Sequence, residues 1–313
     1  MMNIKEVRNE LLNEKYYDID HPSGLKILVM PKENYSSTYA IFATKYGSID
    51  TMIQMSDGSF KEIPEGTAHF LEHKLFESED LDAFERFAKT GASANAYTSF
   101  ERTGYLFSCS ANFKKNLEIL LDFVQNPYFT QATVEKEQGI IGQEIDMYKD
   151  APDWEVMFNC LRTMYHNLPV RIDIAGTQES IAQITAKTLY GCYDNFYNLH
   201  NMVLAVAGNA DVDEIVEVAD KVLKPVEGKM AQRKVIDEPE EVIDSYIEEK
   251  LSVATPQFMF GFKESWDTPE RTTKEEISME ILLDMISGQS SELYKRLFDG
   301  KLINNSFGFE YFT

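Results

Sequence analysis

The stretch "GTAHFLEHKLFE", from Gly66 to Glu77, holds two of the five histidines in the 313-residue chain. Its apolar residues recur at helical spacing, which predicts a helix through the stretch. On an α-helix, residues i, i+3 and i+4 lie within one narrow arc, so His69, Glu72 and His73 are expected to share one face. The sequence therefore predicts two imidazoles and a carboxylate side by side.

This HxxEH order is the inverted form of the HExxH motif. Two imidazoles one turn apart can bind one zinc ion, and the glutamate between them can take a proton from a water molecule there. The alternative is that the histidines are satisfied polar residues and that these charges form solvated surface pairs. We favour the metal site, because histidine is scarce in this chain and a chance match to the motif is correspondingly rare.

A catalytic zinc site uses three protein ligands and keeps one position open. The third ligand should come from a separate element, and the helix predicted from Thr130 to Asp150 offers Glu137 and Glu144, two turns apart on one face. Either could bind the metal while the other supports the site from behind. Without the motif, both glutamates would be more typical of a solvated helix face.

Acidic residues outnumber basic ones by 52 to 30, which gives a net charge of −22. This charge repels phosphate backbones and argues against nucleic acid as a partner. It is typical of a solvated acidic surface, although an acidic cavity that attracts basic peptides would have the same composition. The charged N-terminus lacks the apolar core of a signal peptide, and no apolar run is long enough to span a bilayer, so we expect a cytoplasmic protein with no membrane partner.

The three cysteines show no CxxC spacing, so they predict neither disulfides nor a cysteine-based zinc site and are expected to be buried apolar side chains. Periodicity and turn residues predict a mixture of strands and helices. In chain order we expect a polar N-terminal helix, adjacent strands in 24–33 and 38–50, a loop, the motif helix, a helix in 78–91, two strands in 93–111, helices in 112–126 and 130–150, two further helices, a buried strand in 201–209 and a helix after it.

The polar segment from Lys224 to Asp244 contains two prolines and predicts an interdomain linker. We expect a zinc-binding domain over residues 1–228 and the start of a second domain over 229–313. Only strand, helix, helix and strand are expected in that second part, which is typical of an incomplete domain.

Four stretches make the chain resemble the insulinase-type zinc metallopeptidases, the pitrilysin or M16 family, nearly from end to end. They are "GTAHFLEHKLFE", "GASANAYTSFERTGYLF" (Gly91–Phe107), "VEKEQGIIGQEI" (Val134–Ile145) and "YNLHNMVLAVAGNADVDEI" (Tyr197–Ile215). The pattern is most similar to the bacterial YmfH-like branch, whose members are named as associated with elongation factor P modification. The resemblance implies an α+β fold with two similar domains around a chamber, each an antiparallel-rich sheet with helices on one face, the second truncated here.

The resemblance also implies residue roles. His69, His73 and Glu144 would bind one Zn²⁺ per chain, Glu72 would be the general base, and Glu137 would be the second catalytic acid, behind the ligands. The "NAYT" stretch resembles the family's edge strand, which binds peptide substrate by β-addition through its main chain. That strand would consist of Asn95, Ala96, Tyr97 and Thr98.

One departure concerns the second domain. Active relatives carry an Arg and a Tyr, seven residues apart, which stabilise the tetrahedral intermediate, whereas Ser290–Phe307 places Phe298 and Asn305 there. The resemblance therefore implies an M16-like partner subunit that supplies Arg and Tyr, or a homodimer.

The leading hypothesis is a zinc-dependent endopeptidase that hydrolyses short or unfolded peptides and is weak or inactive alone. The alternative is a non-catalytic or regulatory peptide-binding subunit, linked to elongation factor P modification. A purely structural zinc is disfavoured, because two histidines and one glutamate leave a coordination position open.

Overall fold

The computed structural model describes residues 2–55, 57–228, 231–264 and 272–312. The chain forms two units, Met1–Gly261 and Phe262–Thr313. These units are compact parts of the structure and do not test the domain boundary expected between residues 228 and 229, which stays a prediction.

A seven-stranded sheet organises the first unit, and a small two-stranded sheet accompanies it. The strands are β1 (Asn3–Asn9), β2 (Glu14–Asp20), β3 (Lys26–Pro31), β4 (Thr38–Thr44), β5 (Met52–Gln54), β6 (Phe60–Glu62), β7 (Ser93–Thr98), β8 (Thr103–Cys109) and β9 (Met202–Gly208). The large sheet has the order β1-β2-β3-β9-β4-β8-β7, and β5 pairs with β6. Only β3 and β9 pair in parallel, so the expected antiparallel-rich α+β fold is confirmed.

The described residues of the first unit form eight α-helices. They are α1 (Thr67–Leu75), α2 (Ala83–Ala88), α3 (Phe113–Gln125), α4 (Gln131–Lys149), α5 (Pro152–Met164), α6 (Gln178–Ile181), α7 (Ala186–Phe196) and α8 (Val212–Val222). The buried side chains of the strands pack against helices of this unit. Phe42, Phe107 and Leu204 of the sheet lie in one core with Leu71 of α1 and Leu117 of α3. Because side chains alternate along a strand, this single apolar face is what holds α1 against the sheet.

Two expectations about the sheet are wrong. The strands β3 and β4 are not adjacent, because β9 lies between them, parallel to β3 and antiparallel to β4. Its sequence, "MVLAVAG", is apolar on both faces and suits the middle of a sheet. The expected N-terminal helix is instead the β1–β2 hairpin, whose second strand pairs with β3. Pairing with the sheet outweighs local helix propensity there.

Several boundaries also differ from the prediction. The short β5–β6 hairpin occupies part of the expected loop before the motif. In the expected helix over 78–91, only Ala83–Ala88 is helical, with Asp82 rather than Ser78 as its N-cap. Cys109 and Cys192 are buried as expected, whereas Cys160 is only partly buried.

The second unit contains α9 (Thr273–Ser287) and α10 (Glu292–Asp299), each with a side-chain N-cap. The two strands expected around them are not found in the described residues from 231 onward. An extended segment becomes a strand only where a neighbour accepts its backbone hydrogen bonds, and no neighbouring strand is present in this part of the structure. No helix in the described ranges has the length and apolar composition to cross a bilayer.

Candidate metal centre

The motif helix α1 is fixed at its N-terminus by a close backbone contact. Gly66 has φ of 81°, and a Cβ atom there would lie 2.3 Å from the carbonyl oxygen of Ala175. Both the positive φ and the contact require glycine. Nearly every residue of α1 is buried, so the helix can shift little against its surroundings.

His69, His73 and Glu144 come together where α1 packs against α4. One ligand atom of each residue lies within 4.8 Å of the others. Glu144 Oε1 is 3.6 Å from His69 Nε2, and Glu144 Oε2 is 3.6 Å from His73 Nε2. The carboxylate of Glu144 therefore faces both imidazoles at once.

Glu137 lies on the other side of His73. Its Oε1 atom is 3.0 Å from His73 Nδ1, and its side chain is largely buried. A hydrogen bond at Nδ1 orients the ring and leaves Nε2 free toward Glu144. Of the two glutamates that the sequence left open, Glu144 thus meets both histidines at Nε2 and Glu137 supports one of them from behind.

The electrostatics suit neutral imidazole ligands. Burial, with the charge of His73 adding to it, lowers the pKa of His69 to about 3. Burial also lowers the pKa of His73, but the hydrogen bond of Glu137 and the surrounding carboxylates outweigh it and leave that pKa raised. His69 is thus an uncharged imidazole at neutral pH and can donate an electron pair to a metal ion. On His73, a metal ion would replace the proton that the nearby carboxylates favour.

The residues present fit a divalent metal ion. Two imidazoles and one carboxylate are a usual set of protein ligands for catalytic zinc and leave a coordination position open. The Nδ1 atom of His69 is buried without a hydrogen-bond partner among the described residues. That ring consequently has no competing hydrogen bond to turn its Nε2 away from the cluster.

Glu72 is beside the cluster and hydrogen-bonded to the sheet. Thr98 Oγ1 donates a hydrogen bond of 2.8 Å to Glu72 Oε2. Burial raises the pKa of Glu72, and this hydrogen bond opposes the rise. The carboxylate is therefore held in one orientation and made more basic than an exposed glutamate.

Thr98 belongs to β7, which carries the "NAYT" stretch and is an edge strand of the large sheet. Its inner edge pairs with β8 from Ser93↔Ser108 to Thr98↔Thr103. No described strand covers its outer edge, and β7 contacts α1. An extended peptide added to that edge would run past Glu72.

Two side chains at the centre escaped sequence reasoning. The sequence assigned Thr98 to main-chain binding, and nothing in it signals a hydrogen bond to Glu72. Tyr148 follows Glu144 by one turn, a spacing that could have drawn attention to it. Burial, followed by the charge and hydrogen bond of Glu144, raises the pKa of Tyr148 to about 12, and the ring stacks on Trp154 at 4.6 Å.

Phe298 and Asn305 both lie in the second unit. Phe298 is on α10 and is 43% exposed, and Asn305 follows that helix in an irregular segment. Neither side chain carries a charge or a phenol that could stabilise an oxyanion as Arg and Tyr do.

Two family profiles match the chain. The one described as "Insulinase (Peptidase family M16)" matches residues 48–178, which include the cluster, and the one described as "Peptidase M16 inactive domain" matches residues 183–312.

Among curated proteins, "Uncharacterized zinc protease YmfH" of Bacillus subtilis (strain 168) is 45% identical over 314 residues, covering 98% of this chain and 73% of that protein. "Mitochondrial-processing peptidase subunit beta" of Bos taurus is 36% identical over 160 residues, covering 49% of this chain and 32% of that protein. This chain therefore spans about three quarters of the first relative and a smaller part of the second.

Solved structures give the same picture. An M16-like peptidase from Alicyclobacillus acidocaldarius superposes with a TM-score of 0.84 and 38% identity, covering 99% of this chain and 71% of that one. A protease from Helicobacter pylori superposes with a TM-score of 0.75 at 22% identity, covering 93% of this chain and 70% of that one, which shows the fold alone.

Proposed function

The chain belongs to the insulinase-type M16 family of peptidases, and from this premise we propose that it is a zinc-dependent endopeptidase that hydrolyses short or unfolded peptides. The observation that carries the proposal is the position of Glu72. Its carboxylate accepts a hydrogen bond from the edge strand, and it interacts electrostatically with His73 and Glu144 of the cluster. One Zn²⁺ per chain, bound by His69, His73 and Glu144, completes the proposal.

When bound, zinc acts as a Lewis acid that polarises a peptide carbonyl and makes a water molecule more acidic. Glu72 would accept a proton from water as the water oxygen adds to the carbonyl carbon, and would return that proton to the amide nitrogen as the C–N bond breaks. Thr98 holds the Glu72 carboxylate, and Glu137 holds His73, so little reorganisation is needed during reaction. The main chain of β7 aligns the peptide without reading its sequence.

Replacing Glu72 by Gln tests the base. The amide is nearly isosteric but cannot accept the proton, so we expect loss of hydrolysis of a fluorogenic unfolded peptide with unchanged zinc content. Glu79→Gln, on an exposed residue just beyond α1, is the control and should retain activity. Hydrolysis by the Glu72→Gln protein at the original rate would refute the proposed base.

A partner is proposed because Phe298 and Asn305 stand where the resemblance implies Arg and Tyr. Loss of one donor to an oxyanion typically costs a factor of roughly 100 to 1000 in rate, so the chain alone is expected to be slow. We propose an M16-like partner subunit that supplies both side chains, or a homodimer, in the cytoplasm. The zinc-binding domain would be residues 1–228, and residues 229–313 would belong to the second domain.

The second candidate is a non-catalytic or regulatory peptide-binding subunit, linked to elongation factor P modification. The same two residues favour it, because without Arg and Tyr the centre could bind a peptide and leave it intact. An experiment that distinguishes the two candidate functions mixes the zinc-loaded chain with an M16-like partner that has Arg and Tyr but no HxxEH motif. Hydrolysis that depends on Glu72 supports the peptidase, and peptide binding without hydrolysis supports the alternative.

A further inference from the structure

The segment 231–261, called the strap below, overlaps the predicted linker (224–244) and belongs to the first unit. It contains no helix or strand, yet polar contacts attach it to the surface. The Glu238 carboxylate accepts the backbone N–H groups of His166, Asn167 and Leu168 at 2.7–2.8 Å. The N–H of Ile243 donates to the carbonyl of Thr163. The strap is therefore a fixed part of this unit.

Arg233, near the start of the strap, makes its strongest contact with Asp50. The guanidinium binds both carboxylate oxygens, Nε to Oδ1 at 2.6 Å and Nη2 to Oδ2 at 2.9 Å. The Asp50 side chain is only 3% exposed, so the pair differs from the exposed ion pairs that contribute little. Burial raises the pKa of Asp50, and Arg233 opposes that rise. Without Arg233, a buried carboxylate would lose its cation.

The same guanidinium bridges two pieces of backbone. Arg233 Nη2 also donates to the carbonyl of Lys45 at 3.2 Å and to that of Glu101 at 3.3 Å. Lys45 begins the loop after β4, and Glu101 is in the turn between β7 and β8. One side chain therefore ties that loop to that turn.

The loop and the turn are also in direct contact. Ser48 N–H donates to the carbonyl of Ser99 and Ile49 N–H to that of Phe100, both at 3.0 Å. A Cβ atom at Gly47 would lie 2.3 Å from the Phe100 oxygen, so the approach requires glycine. Asp50 in turn accepts the N–H of Gly47. The Arg233–Asp50 pair thus stabilises the loop against which the β7–β8 turn rests.

We propose that Arg233 is a positioning residue for the peptide-binding edge strand β7. The turn that Arg233 holds begins directly after Thr98, the last residue of β7. As an edge strand, β7 has backbone neighbours on one side only, so its free end depends on the turn for its position. The inference rests on the proposed function, because it takes β7 to be the strand that receives the peptide.

The test compares the wild type with the double variant Asp50→Asn/Arg233→Gln. The double variant removes the contact without leaving a buried charge unpaired, which avoids the folding defect that Arg233→Gln alone could cause. Arg86→Gln is the matched control, since Arg86 pairs with Asp122 on α2 and α3, away from the turn. All three proteins should bind zinc equally.

The first readout is hydrogen exchange, which needs no activity. We expect the amides of residues 48–49 and 97–102 to exchange roughly tenfold faster in the double variant, the factor that corresponds to loss of one strong polar contact, with no change in Arg86→Gln. Unchanged exchange at these amides overturns the proposal.

The second readout separates positioning from general stability. Because the strand would bind the peptide equally in the ground and transition states, KM for an unfolded peptide should rise roughly tenfold with little change in kcat. A changed kcat with constant KM overturns the proposal. If the wild type hydrolyses nothing even when it is mixed with an M16-like partner that supplies Arg and Tyr, the proposed peptidase function fails by itself. Hydrogen exchange and the affinity of a labelled peptide then still decide the role of Arg233.

Discussion

His73 Nδ1 lies 3.0 Å from Glu137 Oε1, while His73 Nε2 lies 3.6 Å from Glu144 Oε2. One imidazole is therefore held between two carboxylates of a single helix. Because Glu137 and Glu144 are two turns apart on α4, a rigid helix sets the distance between them. The contact with Glu137 therefore sets the orientation of the His73 ring at the centre.

Replacing Glu137 by Gln should weaken zinc binding without removing it. Removal of the carboxylate behind a histidine ligand typically costs a factor of 10 to 100 in metal affinity, so we expect a loss of about that size. Competition with a chromogenic chelator measures it. The control is Glu135→Gln, an exposed position two residues earlier on α4. An equal loss in both variants would show that the effect is not specific to the contact with His73.

Replacing His73 by Ala should abolish stoichiometric zinc binding. The remaining His69 and Glu144 provide only two ligands, whereas catalytic zinc sites use three. Metal content of the purified protein by mass spectrometry should fall from about one zinc per chain to near zero. His200→Ala, at an exposed histidine outside the cluster, should keep the metal. Zinc retained by the His73→Ala protein would place the metal elsewhere.

Replacing Thr98 by Val should lower kcat more than it changes KM. The substitution keeps the branched shape but removes the hydroxyl that holds Glu72, and loss of such a hydrogen bond to a charged group costs roughly 1.5–3 kcal/mol, or about tenfold or more in rate. Steady-state hydrolysis of a fluorogenic peptide checks the prediction. Thr98→Ser, which restores the hydroxyl, is the control and should recover most of the lost rate. Equal rates in the wild type and both variants would mean that the contact does not serve catalysis.

Replacing Leu71 by Ala should destabilise the first unit. Leu71 is fully buried in α1, and Leu→Ala changes in cores cost about 2–5 kcal/mol. Urea denaturation followed by circular dichroism measures the change. Leu11→Ala is the matched control, since Leu11 is 94% exposed and its loss should matter little. Similar midpoints for the two variants would contradict the burial of α1.

Thiol alkylation should distinguish the cysteines. Burial raises the pKa of Cys192 to about 12, so it is protonated and inaccessible in the native protein, whereas Cys160 is partly exposed. Iodoacetamide at neutral pH should therefore modify Cys160 well before Cys192, as peptide mass mapping can show. Denatured protein is the control, in which both should react alike. Early modification of native Cys192 would contradict its packing.

Local features of the chain were predictable because they depend on neighbours in sequence. Helical spacing puts His69, Glu72 and His73 on one face, and the same periodicity identifies α3, α4 and α8. Thr, Tyr and Phe residues identify β7 and β8, and a short apolar run identifies β9. The resemblance to the family then supplied the choice of Glu144 as a ligand, which spacing alone left open.

The order of the strands could not be read in this way. The insertion of β9 between β3 and β4 joins residues more than 150 positions apart, and a strand pattern does not name its partner. For the same reason the N-terminal segment, helical by local preference, becomes a strand where the sheet offers an edge.

The sequence by itself therefore determined the motif, its helix and the kind of chemistry that its side chains can perform, because a helix repeats every few residues. Tertiary structure alone decided which groups position these side chains and the strand beside them. Thr98 donates a hydrogen bond to Glu72, and Arg233 binds Asp50. These contacts join distant parts of the chain, and their geometry arises only when the sheet and helices pack into one core.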